Sequence, residues 1–230
     1  MNLKTAMILA AGRGSRLAPL TDNVPKPMVQ IAGQPLIFHQ LNGLARAGIR
    51  RVVINLHHLG EQIEAAIGDG SAFNLSVVYS REAQPLETGG GIHQAAALLG
   101  DEPFLLLNGD IFTNFDFRRL PTTLAPHLAA HILLIAKPEY RQQGDFGFVH
   151  HRVNRHNRDY VYCGISVMRH NFAAPPRDKR NHPTPAFSLQ APLFQAAEEG
   201  RLAGQLINAS WSDIGTPEEL ASVRSATSAT

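Results

Sequence analysis

The stretch LAAGRGSRLAPLTDNVPKP, from Leu9 to Pro27, leads out of a short apolar run into a turn rich in glycine and positive charge. The apolar run, residues 6–10, is typical of a buried strand. The glycines at positions 12 and 14 allow backbone N–H groups to approach an anion closely, because no side chain stands in the way. The stretch therefore predicts a strand followed by an anion-binding loop.

The cations of this stretch favour a phosphate ligand. Arg16 and Lys26 can each form charge-assisted hydrogen bonds to phosphate oxygens. Pro25 and Pro27 restrict the backbone on both sides of Lys26, so its side chain starts from a fixed position. The stretch matches neither the dinucleotide-binding fingerprint nor the P-loop, since both patterns require a glycine where Leu17 stands.

Short apolar runs alternate with amphipathic stretches along the rest of the chain. They predict strands at residues 6–10, 51–56, 75–79, 103–107, 130–136, 161–167 and 206–212, and helices at residues 35–47, 60–67, 91–99, 188–199 and 217–225. The first strands are apolar on both faces, which indicates an α/β fold with a doubly wound, mixed, mostly parallel sheet. Ligands of such sheets bind beyond the carboxyl ends of the strands.

The composition indicates one globular domain. The chain has 230 residues, 44% of them hydrophobic, and a net charge of +2 without a block of basic residues, so we expect no nucleic-acid partner. The single cysteine, Cys163, excludes an intramolecular disulfide and a cysteine-rich zinc site. The N-terminal apolar run is too short for a membrane span and lacks the order of a signal peptide. We therefore expect a cytoplasmic protein, by default a monomer, with a loop at residues 177–185 and a frayed tail at residues 225–230.

The glycine-rich stretch resembles the signature loop of the sugar-phosphate nucleotidyltransferases, and every fixed position of that loop is filled. The resemblance implies that the loop wraps a nucleoside triphosphate, that Arg16 contacts its phosphates, and that Lys26 binds the sugar phosphate and the α-phosphate. Arg16 and Lys26 are then catalytic. The nucleotide-binding residues implied in this loop are Leu9, Ala11, Gly12, Gly14, Ser15 and Arg16.

Three further motifs carry the same resemblance. Residues 85–91, PLETGGG, are similar to the family's element that closes over the base, which implies nucleotide contacts from Thr88 and Gly89. Residues 108–110, NGD, and residues 211–217, WSDIGTP, resemble the two elements that carry metal-binding carboxylates. The nucleotide and metal residues implied by these motifs are Thr88, Gly89, Asn108, Asp110 and Asp213. We expect a nucleotide-binding half at about residues 1–115 and a sugar-binding half at about residues 116–225.

The reaction implied is attack of a sugar-1-phosphate oxygen on the α-phosphorus of a nucleoside triphosphate, with release of pyrophosphate. The nucleophile is already an anion, so the site must supply charge neutralisation and positioning rather than a base. Two carboxylates and Mg2+ suit this task. The alternative for Asp110 is a turn aspartate after Gly109, and the alternative for Asp213 is a cap of the last helix.

The base and the sugar are less constrained by the sequence. Glu82 is the side chain expected nearest the base, together with the backbone of Ala11 and Gly12, and its alternative is a surface carboxylate. Gly147, after Phe146, resembles a family glycine that meets sugar hydroxyls. Gly164 lies in a similar strand motif and is a second expected substrate contact.

The PLETGGG variant and the short chain resemble the N-acetylmuramate-α-1-phosphate uridylyltransferases of peptidoglycan recycling, which use UTP. The alternatives are a thymidylyltransferase for glucose-1-phosphate, a guanylyltransferase for mannose-1-phosphate, or a regulatory subunit that senses sugar nucleotides. A cation for the sugar's lactyl carboxylate is expected among Arg141, Arg152, Arg155, Arg158 and residues 177–180. The His- and Arg-rich residues 150–158 have no metal-ligand spacing and predict a solvated hairpin.

Overall fold

The computed structural model describes residues 3–139, 141–176 and 185–228, and it contains a nine-stranded sheet. The strands are β1 (Thr5–Leu9), β2 (Gln30–Ile31), β3 (Gln34–Pro35), β4 (Arg51–Leu56), β5 (Ser76–Arg81), β6 (Phe104–Asn108), β7 (Ile111–Thr113), β8 (Ala130–Ala136), β9 (Gly147–Val149), β10 (Arg152–Asn154), β11 (Tyr160–Met168), β12 (Leu202–Leu206) and β13 (Trp211–Asp213). The helices are α1 (Leu20–Asn23), α2 (Leu36–Arg46), α3 (Gly60–Ile67), α4 (Glu87–Leu99), α5 (Gln190–Glu198) and α6 (Pro217–Ser228).

The first half of the chain builds the parallel part of the sheet. β1 pairs in parallel with β4 on one side and with β6 on the other, and β5 extends the sheet beyond β4. After β1 the chain first adds strands on one side of it (β4, β5) and then crosses to the other side (β6). The loops that follow β1 and β6 therefore lie at a topological switch point. The glycine-rich loop and the Asn108 turn therefore lie next to each other at the carboxyl edge of the sheet.

The second half continues the sheet from β6 in the order β11, β8, β12, β10, β9. β11 is antiparallel to both β6 and β8, whereas β12 runs parallel to β8. β11 contains an irregularity between Tyr162 and Ser166, and Gly164 within it has a φ of +77°. The fold is a single mixed α/β domain, as predicted, and both halves contribute to one continuous sheet.

Apolar side chains pack on both faces of the sheet. Ala6 and Ile8 of β1 pack with residues of α2 and α3, whereas Met7 packs on the other face with residues of α4 and α5. Each fully buried leucine or isoleucine of this kind stabilises the fold by about 1.5–3 kcal/mol. A third cluster joins the end of the glycine-rich stretch to α6 through Leu17 and Leu220. No helix among the described residues is long and apolar enough to cross a bilayer.

Several predicted boundaries are wrong. The strand expected at residues 206–212 is wrong over most of its length: β12 ends at Leu206, residues 207–210 form no ladder with a neighbour, and β13 begins at Trp211. The helix expected from residue 91 begins at Glu87, so the three glycines of PLETGGG are helical. The tail expected from residue 225 is helical to Ser228, since α6 packs on the third cluster. Most of the loop expected at residues 177–185 lies outside the described residues.

The segment predicted as a solvated hairpin is one. Residues 150–158 form the turn between β9 and β10, the whole of β10 and the residues that follow it, and both His150 and His151 have positive φ values and are exposed.

Candidate active site

The two glycines of the loop after β1 have different surroundings. A Cβ at Gly12 would meet nothing within 4 Å, so its backbone borders open space. Gly14 has a φ of +66°, and a Cβ there would lie 3.1 Å from the Cβ of Lys26. The hydroxyl of Thr21 donates to the carbonyl of Gly14 over 2.9 Å and fixes the turn. Gly12 therefore leaves backbone accessible to a ligand, whereas Gly14 lets Lys26 pack beneath the loop.

A cleft of about 230 Å³ opens between this loop and the turn after β6. It brings together most of the residues predicted for the triphosphate. Those that line it are Leu9, Gly12, Gly14, Ser15, Arg16, Lys26 and Asp110. Ala11 lies on the loop beside the cleft without lining it.

Lys26 joins the two predicted metal carboxylates. Its Nζ donates to Oδ2 of Asp110 over 2.6 Å and lies 3.9 Å from Oδ1 of Asp213. The antiparallel pair of β7 and β13 sets Asp213 opposite Ile111, which is next to Asp110. The N–H of Ile214 also donates to the carbonyl of Asp110 over 2.9 Å. A short ladder therefore brings two carboxylates that are far apart in the sequence to the same cation.

The carboxylates of Asp110 and Asp213 are not fully neutralised by Lys26 and could bind a further cation. Oδ1 of Asp110 and Oδ1 of Asp213 are both buried without a hydrogen-bond partner. Burial and the neighbouring Asp110 carboxylate raise the pKa of Asp213 to about 6, although Lys26 and Arg16 lower it. Within the described ranges no group of three or more His, Cys, Asp or Glu side chains could hold a metal ion. Two carboxylates suffice for Mg2+ when substrate phosphates and water complete its shell, so these oxygens fit such an ion.

Arg16 crosses from the loop to the chain after β13. A Cβ at Gly215 would lie 2.8 Å from a terminal nitrogen of the Arg16 guanidinium. The Glu219 carboxylate beside it accepts hydrogen bonds from the N–H groups of Gly215 and Thr216. The glycine of the WSDIGTP motif therefore gives Arg16 the space to reach the cleft.

Gln40 of α2 is a site residue that the sequence analysis missed. Its side chain is 4% exposed, and its Nε2 donates to the carbonyls of Asn108 and Ile111, both over 2.9 Å. These two carbonyls lie on either side of Asp110, so Gln40 holds the turn that carries this carboxylate. A glutamine among the apolar positions of a predicted helix was the feature in the sequence that pointed to it.

Glu82 is buried rather than a surface carboxylate. Its Oε1 accepts from Nδ2 of Asn55 over 2.7 Å, and its Oε2 accepts from the N–H of Leu86 over 3.2 Å. Asn55 accepts in turn from the N–H of Ala10 over 2.7 Å. Glu82 is thus connected to the start of the glycine-rich loop through Asn55, a polar residue in an otherwise apolar strand.

Two residues predicted to bind the nucleotide, Thr88 and Asn108, line a separate cavity rather than the glycine-rich cleft. A cavity of about 180 Å³ lies beside Asn108 and Phe146, and Thr88, Asp145 and Tyr162 also line it. Burial raises the pKa of Tyr162, so its hydroxyl stays protonated.

The two predicted substrate glycines pack against neighbouring residues. A Cβ at Gly164 would lie 2.8 Å from Nδ2 of Asn108, so Gly164 packs against a residue of the cavity wall without lining the cavity itself. Gly147 is buried against the carbonyl of His156 and does not line the cavity. A sugar contact by either glycine stays a prediction.

The candidate cations for a sugar carboxylate are also separated by the structure. The Arg155 guanidinium stacks 3.4 Å from the centre of the Phe194 ring and donates to the carbonyl of Asp145. Arg141 lies 3.9 Å from Oδ1 of Asp145 and borders a second cavity beside Asp213. Arg152 is exposed on β10 and Arg158 is half-buried, and residues 177–180 lie outside the described residues.

Comparisons with known proteins agree with this geometry. A family model described as nucleotidyl transferase matches residues 5–161. The chain is 40% identical to the N-acetylmuramate alpha-1-phosphate uridylyltransferase of Neisseria meningitidis serogroup B, over 92% of this chain and 93% of that protein. It is 31% identical to the protein of the same name from Caulobacter vibrioides, over 94% and 93%. It is 29% identical to the mannose-1-phosphate guanylyltransferase catalytic subunit beta of Danio rerio, over 93% of this chain and 62% of that protein.

Solved structures share the fold at low sequence identity. HddC of Yersinia pseudotuberculosis superposes with a TM-score of 0.76 at 23% identity, covering 97% of this chain and 99% of that one. A UDP-glucose pyrophosphorylase from Acinetobacter baumanii gives a TM-score of 0.75 at 16% identity, covering 96% and 92%. The fold, the site and the relatives agree, and the chain belongs to the nucleotidyl transferase family as a sugar-1-phosphate nucleotidyltransferase.

Proposed function

We propose that this enzyme transfers a uridylyl group from UTP to N-acetylmuramate α-1-phosphate, which yields UDP-N-acetylmuramate and pyrophosphate. The observation that carries the reaction class is the convergence of Lys26, Asp110 and Asp213 beside the glycine-rich cleft. Uridine and N-acetylmuramate are supported by the names of the relatives at 40% and 31% identity, each covered over most of its length. A role in peptidoglycan recycling and a cytoplasmic location stay predictions.

The proposed mechanism needs no general base. A phosphate oxygen of the sugar-1-phosphate attacks the α-phosphorus of UTP, and the bond from this phosphorus to the oxygen of the leaving pyrophosphate breaks. Lys26 neutralises charge on the reacting phosphates, and Arg16 with the amides of the loop holds the β- and γ-phosphates. Asp110 and Asp213 would hold Mg2+, which would neutralise phosphate charge when bound.

Release of pyrophosphate over a matrix of substrates tests this proposal. The nucleotides are UTP, dTTP and GTP, and the sugar-1-phosphates carry N-acetylmuramate, N-acetylglucosamine, glucose or mannose. We expect the highest kcat/KM for UTP with N-acetylmuramate α-1-phosphate. One charge-assisted contact to the lactyl carboxylate gives a preference of about 10- to 150-fold over N-acetylglucosamine-1-phosphate.

The matrix also separates the alternatives. A preference for GTP with mannose-1-phosphate would move the enzyme toward the guanylyltransferase relatives, and a preference for dTTP with glucose-1-phosphate would make it a thymidylyltransferase. Equal kcat/KM values for the 1-phosphates of N-acetylmuramate and N-acetylglucosamine would mean that the enzyme does not recognise the lactyl group.

The same assay tests the proposed role of Lys26 through the variant Lys26→Ala. Lys4→Ala is its matched control, because Lys4 is exposed and does not line the cleft.

A further inference from the structure

A short segment crosses the beginning of α4 and replaces the capping side chain that this helix lacks. The segment, residues 185–189, is called the Phe187 strap below. The carbonyl of Phe187 accepts hydrogen bonds from the N–H groups of Gly89 and Gly90, over 2.9 and 3.1 Å. Two of the amides at the N-terminus of α4 are thereby satisfied by the strap.

Two further hydrogen bonds join the strap to Leu86, just before α4, and to Thr88 in its first turn. The N–H of Phe187 donates to the carbonyl of Leu86 over 3.1 Å, and the N–H of Leu189 donates to Oγ1 of Thr88 over 2.8 Å. The side chains of Phe187 and Leu189 are both buried in the cluster that α4 and α5 share. The strap is therefore an integral part of the packing on α4.

The triple glycine of PLETGGG allows close approach by other parts of the chain, including the strap. A Cβ at Gly89 would overlap the ring of Phe187, and a Cβ at Gly90 would overlap the carbonyl of Pro185. A Cβ at Gly91 would lie 2.7 Å from Oε1 of Glu82. Each glycine thus allows a close approach by another part of the chain, and two of the three allow the approach of the strap.

The strap and the first residue of α5, Gln190, line the cavity of about 180 Å³ beside Asn108. Ser188 and Leu189 of the strap line this cavity together with Gln190, Asn108 and Tyr162. Gln190 is exposed, and its side-chain amide has no hydrogen-bond partner among the described residues. An amide without a partner at a cavity wall can donate and accept at once, which suits an acetamido or hydroxyl substituent.

The position of this cavity in the sheet favours the sugar over the base. Glu82 and Asn55 lie at the β4 and β5 side of the glycine-rich loop, whereas the strap cavity lies at the β11 side of Asp110. Glu82 is the side chain expected nearest the base, so the sugar of the acceptor needs a different space near Lys26. The cavity on the β11 side is therefore the one that receives the acceptor.

We propose that the Phe187 strap is the sugar-selecting wall of the active site. Gln190 contacts a polar substituent of the sugar ring, and Gly89 and Gly90 are positioning residues that seat the strap. This inference rests on the proposed function only in requiring a sugar-1-phosphate as acceptor. It does not depend on which sugar the acceptor carries.

The first test is Gln190→Ala, measured with the substrate pair that the unaltered enzyme prefers. Loss of one neutral hydrogen bond raises KM for the sugar-1-phosphate by about 2- to 10-fold and leaves KM for the nucleotide unchanged. Gln195→Ala is the matched control, because Gln195 lies on the same helix, is exposed, and does not line the cavity. An unchanged KM for the sugar-1-phosphate, or an equal rise for both substrates, would overturn the proposal.

The second test is Gly90→Ala, which displaces the strap without altering any side chain of the cavity. We expect faster amide hydrogen exchange at residues 187–189, and a changed ratio of kcat/KM between N-acetylglucosamine-1-phosphate and glucose-1-phosphate. A displaced strap with an unaltered ratio would show that the strap is structural only. If Gly90→Ala does not fold, Gln190→Ala decides the matter.

The two proposals fail in distinguishable ways. A different preferred pair in the substrate matrix would overturn the proposed substrates and leave the strap testable on that pair. A normal KM for the sugar-1-phosphate in Gln190→Ala would overturn the strap and leave the substrates standing.

Discussion

Lys26 is placed by its backbone surroundings as well as by its charge. Its Cβ packs beneath Gly14, and the prolines at positions 25 and 27 are both buried. The side chain is 12% exposed, and its ammonium lies between two carboxylates. Such a cation is already in position before substrate binds, so little reorganisation is needed when phosphate charge arrives.

Replacement of Lys26 by alanine tests this charge. We expect turnover to fall about 100-fold or more, because a cation that neutralises transition-state charge contributes several kcal/mol. The variant also leaves Asp110 and Asp213 without their shared cation, which raises the pKa of Asp213 further. Its melting temperature should therefore fall below that of the unaltered protein at pH 8, and the difference should shrink toward pH 5. Near-normal turnover in a pyrophosphate assay would refute the role.

Asp213→Asn separates function from stability. The pKa of Asp213 is raised to about 6, so between about pH 4 and 6 the folded protein binds more protons than the unfolded chain. Stability is therefore lost as the pH rises through this window, and above it the cost of the ionised carboxylate is fully present. Removing the charge should stabilise the metal-free protein at pH 8 by ~1 kcal/mol, allowing for solvent screening at a side chain that is 41% exposed.

The measurement is a melting temperature in chelator beside an activity assay. Asp213→Asn should melt at the same temperature or a few degrees higher than the unaltered protein, while its activity is lost. Asp101→Asn, at an exposed turn, is the control and should change neither. A melting temperature several degrees lower would mean that Asp213 stabilises the fold.

Residues in a motif with several fixed positions could be predicted from the sequence. Single polar residues that act through hydrogen bonds to distant parts of the chain could not. Arg16, Lys26 and Asp110 come together in the cleft as expected because β1 and β6 are neighbouring parallel strands, so the segments that follow them meet at the carboxyl edge of the sheet. Gln40 and Asn55 were missed, since each is a single polar residue in an apolar element. Their importance lies in which carbonyl or amide they reach, and a sequence does not contain that distance.

Among the elements, the turn between β6 and β7 depends most on a neighbour. Its Asp110 follows Gly109, whose N–H donates to the carbonyl of Leu9 over 2.9 Å. A Cβ at Gly109 would lie 2.5 Å from that same carbonyl. The turn is thus clamped to the end of β1 on one side and to Gln40 of α2 on the other.

Gln40→Met tests the clamp from α2. The methionine has similar volume but no donor, so two buried carbonyls lose their partner, and we expect a loss of roughly 2–4 kcal/mol in the free energy of unfolding. Because the turn carries Asp110, kcat should fall more than KM for the nucleotide rises. Gln62→Met is the matched control, since Gln62 is exposed and bonds only the carbonyl of Asn23. A stable variant with normal kcat would contradict the clamp.

The elements that were predicted correctly are the strongly patterned ones. The strands at residues 51–56 and 130–136 and the helix at residues 60–67 agree with β4, β8 and α3 at both ends. The strand Leu202–Leu206, sequence LAGQL, was missed because it is short and contains a glycine and a glutamine. It belongs to the sheet because it pairs in parallel with β8, and this pairing depends on tertiary structure rather than on the local sequence.

At the scale of the whole molecule, the last strand returns to the first half of the chain. Trp211 of β13 donates from Nε1 to the carbonyl of Cys163 over 2.8 Å, at the irregular part of β11. The same strand pairs with β7 and carries Asp213. The C-terminal segment therefore ties the two halves of the sheet together at the active site.

Trp211→Phe tests this tie. An aromatic ring remains, but the hydrogen bond and part of the packing of the larger indole are lost, so we expect a loss of at least ~1 kcal/mol in the free energy of unfolding and a fall of about 2–4 °C or more in melting temperature. Activity should fall as well, because Asp213 is two residues away. Tyr79→Phe is the control: it removes a hydrogen bond to the carbonyl of Gly68, far along the sheet, and should lower stability without lowering kcat. Unaltered activity in Trp211→Phe would mean that Asp213 is positioned independently.

The late arrival of β13 also governs when the protein becomes an enzyme during its synthesis. A ribosome that has just completed Asp110 has already made the glycine-rich loop, Arg16 and Lys26, yet the partner carboxylate lies about a hundred residues further on. Translation at ~5–20 residues per second leaves an interval of roughly 5–20 s before Asp213 exists. During that interval the growing polypeptide contains Asp110 but not Asp213. We therefore expect products that terminate before Asp213 to be catalytically silent, and activity to appear only in chains translated past that residue.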